Sequence, residues 1–167
     1  MRIVLFSSLL IVLMAGSAAA QNTVKVSEDR DWAVYVHESQ NGNKICFAAT
    51  EPKSSSPQDS NRSGVYFYVT NWVADGIKNE LSVKSGYEFK EGSAPVVTVG
   101  GATFDMFVRG DKAFLRDPED EKRLLDAMRA GADMTVKGES ADGKQTTDTY
   151  SLFGLTASLG KLNEECP

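Results

Sequence analysis

The stretch Thr146–Cys166, TTDTYSLFGLTASLGKLNEEC, decides how the rest of the chain is read. From Thr146 to Leu152 it alternates with the two-residue period of a strand, and Gly154 supplies a turn. Leu155, Leu159, Leu162 and Cys166 then recur at helical spacing on one face. The chain has two cysteines, so Cys166 has a single possible partner, Cys46. A bond between them ties the tail across most of the chain.

Working outward, the first twenty residues have the layout of a secretory leader. Arg2 is a minimal positive start, Ile3 to Met14 is apolar, and small residues end at Ala18-Ala19-Ala20. Cleavage before Gln21 is expected, leaving residues 21–167 as one β-rich domain of 147 residues. Loss of Arg2 moves the formal charge from −5 to −6, which disfavours nucleic acid and anionic membranes as partners. The leader's apolar run is too short to span a bilayer, and no later stretch approaches the roughly 20 apolar residues required. Export in turn favours a Cys46–Cys166 disulfide, because oxidising compartments stabilise the bond.

Along the mature chain, polar Gln21 to Asp31 is expected as a loose lead. Trp32 to His37 alternates as a strand, Asn41-Gly42 predicts a type I′ hairpin turn, and Lys44 to Thr50 returns. On that return strand Ile45, Phe47 and Ala49 share one face and Cys46 takes the other, where the tail helix is expected to pack. Glu51 to Gly64 holds two prolines and five serines without an apolar anchor and predicts a mobile loop, open to a role as contact surface. Asn61-Arg62-Ser63 within it formally matches a glycosylation acceptor.

Val65 to Trp72 is aromatic and β-branched on both faces, which predicts a central strand covered on both sides. Strands are expected at Asn79 to Lys84, Val96 to Val99, Ala102 to Arg109 and Lys112 to Leu115. Asp117, Pro118 and the acidic run Glu119-Asp120-Glu121 start a helix over about 117–131, with Arg129 in its last turn and Gly131 beyond. Met134 to Glu139 and Gln145 to Leu152 pair around Asp142-Gly143, and the tail helix covers about 155–166. The resulting fold class is mainly β, an antiparallel sandwich-like domain with two helices.

Residues suited to chemistry are sparse. His37 is the only histidine and sits on an alternating strand near a turn, where a surface or structural role outweighs that of a catalytic base. No metal-ligand spacing, phosphate-binding loop, nucleophile elbow or dinucleotide fingerprint is present, so neither a metal nor a cofactor is expected. Asp105 and Asp148 interrupt strands, where aspartate is depleted. They have two readings: paired carboxylates of a small hydrolase, or structural groups held by a neighbour such as Arg109 for Asp105 and by backbone or a basic side chain for Asp148. Trp32, Tyr66, Tyr68 and Trp72 are either core or the lining of a ligand groove.

Several blocks together resemble the invasion-associated locus B family of exported proteins from alphaproteobacteria. They are Tyr68-Val69-Thr70-Asn71, Lys78-Asn79-Glu80-Leu81-Ser82, Gly86-Tyr87 with Phe89-Lys90-Glu91-Gly92-Ser93, Ala127-Met128-Arg129-Ala130-Gly131, Met134-Thr135-Val136-Lys137-Gly138, and Thr147-Asp148-Thr149-Tyr150-Ser151-Leu152 before Gly154. The last is the most specific. The resemblance implies an exported, compact β-rich protein of the periplasm, the outer membrane or the exterior. It carries over no catalytic residues, and in pathogens the family name refers to host-cell invasion. The functional expectation is a non-catalytic protein that binds another protein or an envelope component; a periplasmic hydrolase and a small-ligand binder are the alternatives.

Overall fold

The computed structural model describes residues 22–58 and 62–167, so the leader and the acceptor Asn61 lie outside the described residues. Strands β1 (Asn22–Asp29), β2 (Trp32–Glu38), β3 (Lys44–Thr50), β5 (Tyr66–Trp72), β6 (Ile77–Lys84), β9 (Phe107–Arg109) and β10 (Lys112–Phe114) build one sheet. Its seven strands run in the order β1-β2-β3-β5-β6-β10-β9. The second sheet has five strands, β4 (Ser54–Ser56), β7 (Val96–Val99), β8 (Ala102–Asp105), β11 (Asp133–Glu139) and β12 (Gln145–Ser151), ordered β4-β12-β11-β7-β8. All pairings are antiparallel. Helices α1 (Pro118–Ala130) and α2 (Leu155–Glu165) complete the mainly β architecture expected from the sequence.

The inner faces meet in one core. Trp32, Val34, Phe67, Val69, Leu81 and Val83 project from the larger sheet, and Val97, Phe104, Met134, Val136 and Tyr150 from the smaller. Phe67 bridges the layers, its ring 6.0 Å from that of Tyr150 and 6.4 Å from that of Trp32, both edge-on. Burial of each such side chain contributes about 1.5–3 kcal/mol. Helix α1 adds Leu124, Leu125 and Met128. Its start is fixed as the sequence indicates: Asp117 accepts the Glu119 N–H at 2.9 Å, and Pro118 follows where no amide is needed.

The tail forms a clasp. Helix α2 buries Leu155, Leu159 and Leu162 and packs against β1, β2 and β3, and Cys166 is bonded to Cys46. Asn71 secures its end from within the core, donating to the Cys166 carbonyl at 3.0 Å while accepting the Asn79 N–H at 2.9 Å. At its start, Gly154 has φ 96°, and a Cβ there would lie 2.0 Å from the Asp29 carbonyl oxygen. Only glycine permits that approach.

Several expectations change. The polar lead becomes edge strand β1, paired with β2 from Asn22↔Glu38 to Asp29↔Trp32, because backbone pairing needs no apolar side chains. Part of the 51–64 stretch is ordered as β4 on the open edge of β12, where the Lys53 N–H donates to Thr149 at 2.8 Å. Ala102 to Arg109 is two strands rather than one: the chain leaves the smaller sheet after Asp105, buries Met106, and enters the larger sheet at Phe107. The Asn41-Gly42 turn is a three-residue loop, closed by Ser39 and Asn43, with only Gly42 at positive φ. Strand β5 is central, yet its outer residues Tyr66, Tyr68 and Trp72 are only half-buried because no layer covers them.

Candidate functional site

The parity of β3 sets up the outer face of the larger sheet. Cys46 and Ala48 point into the core, which sends the larger Ile45 and Phe47 outward. Strand register then aligns neighbours in rows across the sheet. His37, Ile45 and Trp72 form one; Tyr35, Phe47, Thr70 and Glu80 the next; then Tyr68, Ser82, Phe114 and Phe107; and lastly Tyr66, Lys84, Lys112 and Arg109.

A cleft of about 480 Å³ draws lining residues from all seven strands, from Thr23 on β1 to Arg109 on β9. Phe47 sits at its centre, stacked on Tyr35 at 5.1 Å and meeting Tyr68 edge-on at 5.9 Å. Burial pushes the Tyr68 phenol up to about 12. The Trp72 indole donates to Glu80 Oε1 at 3.1 Å, and Thr23 Oγ1 lies 2.8 Å from His37 Nδ1. At the far side Lys112 and Arg109 face each other across β10 and β9. The arrangement combines aromatic surface, hydroxyls, the His37 imidazole, the Glu80 carboxylate and two cations.

Asp148 lies elsewhere, on the inner face of β12. Arg62 Nη1 and Nη2 donate to its two oxygens at 2.9 and 2.7 Å, and the two side chains are only 7% and 4% exposed. The same guanidinium donates to the Ser85 carbonyl through Nε at 3.0 Å and Nη2 at 2.7 Å. It lies 4.9 Å from the Tyr87 ring centre, and the Tyr87 hydroxyl is 2.7 Å from Thr146 Oγ1. Burial opposes the guanidinium's charge, but the hydrogen bonds and charge of Asp148 outweigh it and raise the group above its ordinary range. Burial also pushes the Tyr150 phenol far up; its hydroxyl is enclosed without a hydrogen-bond partner among the described residues. Gly138 makes room for this cluster, since a Cβ there would lie 2.8 Å from both the Tyr87 hydroxyl and a Phe89 ring carbon.

Asp105 and Asp148 do not converge. Register places Asp148 in the inner row with Val136, Val97 and Phe104, and Asp105 in the outer row with Val96, Lys137 and Thr147. Three inter-strand steps of about 4.8 Å add to that opposition of faces, beyond the roughly 5–9.5 Å of a glycosidase pair. Arg109 is not a same-face neighbour of Asp105 either, because β8 and β9 belong to different sheets. Of the proposed groove aromatics, Tyr68 and Trp72 line the cleft and Tyr66 flanks it at 5.6 Å from Tyr68, whereas Trp32 is core. Phe47, Lys112 and Arg109 went unsuspected as site residues; the clue was that β3 carries its largest apolar groups opposite its cysteine.

Comparison with known proteins gives one match. The family model described as "Invasion associated locus B (IalB) protein" matches residues 32–163. No curated protein and no solved structure matches significantly.

Proposed function

The chain belongs to the invasion-associated locus B family, and from that premise we propose that it is an exported, non-catalytic envelope protein that binds a partner on the outer face of its seven-stranded sheet. The observation that carries this is the open aromatic face itself. Phe47, Tyr68 and Trp72 remain partly exposed on one face of a sheet whose other face carries the core, and a cleft of about 480 Å³ lies over them. Aromatic groups of this kind, rimmed by polar side chains, mark binding surfaces. Export is supported by the leader-like residues 1–20 and by the Cys46–Cys166 bond, which oxidising compartments favour. A non-catalytic role is supported by Asp148 being engaged by Arg62 and distant from Asp105.

The test is a photo-crosslinking residue placed at Tyr68 in cells, with Lys137 on the outer face of the smaller sheet as control. Position 68 is expected to capture a specific envelope component, and position 137 not. Equal labelling from both positions overturns the assignment of the face. Reproducible turnover by the purified protein, lost in Asp105→Asn, overturns the non-catalytic reading.

A further inference from the structure

We propose that the outer face of the seven-stranded sheet takes an acidic oligosaccharide, with pyranose rings lying on Phe47, Tyr68 and Trp72 and a sugar carboxylate between Lys112 and Arg109. This rests on the face being the binding surface argued above.

Three properties select this chemistry. First, the backbone donors and acceptors of the sheet's interior strands are used in strand pairing, so the floor of the cleft offers side chains alone. An extended peptide recognised through its main chain would need a sheet edge. A sugar needs what the floor supplies: ring faces, whose negative quadrupole attracts polarised C–H groups, and hydroxyl or carboxylate partners beside them. Thr70, Ser82 and Glu80 alternate with the aromatic residues in adjoining rows.

Second, the cations are placed against local cost. Lys112 and Arg109 are direct cross-strand partners, an arrangement of like charges that destabilises a sheet. Lys84 in the same row is offset by Asp111 at 3.7 Å. Among the described residues no carboxylate pairs with Lys112 or Arg109. In a chain with a formal charge of −5, two adjacent unneutralised cations bordering an aromatic cleft are complementary to an anionic group on the ligand.

Third, the cleft is open and crosses the whole sheet, which fits several linked rings better than one enclosed small molecule.

The experiment titrates the full mature protein with three probes: a hyaluronan hexasaccharide, chitohexaose as its neutral counterpart, and hexaglutamate. Tryptophan fluorescence is the readout, since Trp72 lines the cleft while Trp32 is buried. The hyaluronan probe is expected to bind about tenfold or more tighter than chitohexaose, the contribution of one charge-assisted contact. Arg109→Ala with Lys112→Ala should abolish that preference without lowering the melting temperature, and Phe47→Ala should weaken both sugars. Hexaglutamate binding as tightly as hyaluronan overturns the proposal in favour of an acidic peptide. No sugar binding, with a protein captured at position 68, overturns the sugar assignment and leaves the binding face standing. No binding together with no capture overturns both.

Discussion

Arg62 closes a two-pronged ion pair on Asp148 inside the core, 86 residues apart in sequence and beside the ring of Tyr87. Removing one partner leaves the other charge buried and unpaired, a cost of about 3–5 kcal/mol. Arg62→Ala and Asp148→Asn should each lower stability by that order in urea unfolding. Arg62→Met with Asp148→Leu together should cost clearly less than the sum of the single changes, because no orphaned charge remains. Additive losses would show that the two groups act independently.

The Cys46–Cys166 bond closes a sequence separation of 120 residues. The chain-entropy model gives about 5 kcal/mol for such a loop, and losses of about 2–5 kcal/mol are usual when native bonds are removed. Cys46→Ser with Cys166→Ser should lower the urea midpoint accordingly, and unreduced peptide mapping should show the two cysteines joined. Two free thiols in protein purified without reductant would contradict the bond.

Gly154→Ala should destabilise by about 3 kcal/mol, since alanine is strained at φ 96° and its Cβ would meet the Asp29 carbonyl oxygen at 2.0 Å. Hydrogen exchange should then rise first in α2, whose start that contact fixes. Gly160→Ala, with open space around the position, should be neutral or slightly stabilising.

Alkali should loosen the fold through its phenols. Tyr68 ionises near 10 in an unfolded chain but is held up to about 12 by burial, and Tyr150 is pushed up further. The folded state therefore favours the protonated form. That contribution is complete below pH 10 and is lost as pH rises toward and through 12. Absorbance at the phenolate band should show the Tyr150 step coinciding with unfolding, whereas Tyr68→Phe should reduce the alkaline dependence between pH 10 and 12.

Much of the fold was legible because it is written in local pattern. Alternation placed β2, β3, β6, β11 and β12, and punctuation by Asp117, Pro118 and Gly131 placed α1. The candidate site was legible only in pieces. Tyr66, Tyr68 and Trp72 drew notice for their type, but they read as residues between two layers because composition does not reveal which side lacks a layer. The Ser54–Ser56 strand was missed for a different reason: what orders it is the free edge of β12, a partner about ninety residues further along. Arg62 sits in the same serine-rich stretch and is anchored by charge, which an inspection for apolar anchors overlooks.

By itself, the sequence determined the periodicities, the clasp from Thr146 to Cys166, and the parity that sets Cys46 and Phe47 on opposite faces of their strand. These follow from bond geometry repeating every two or 3.6 residues, which needs no knowledge of distant neighbours. Tertiary structure alone decided that Phe47's face stays open, that Asp148 meets Arg62, and that Asp105 lies on the opposite side of the same sheet. Each depends on which strands become neighbours and which faces are covered. Those outcomes are fixed by long-range packing, and local spacing does not encode them.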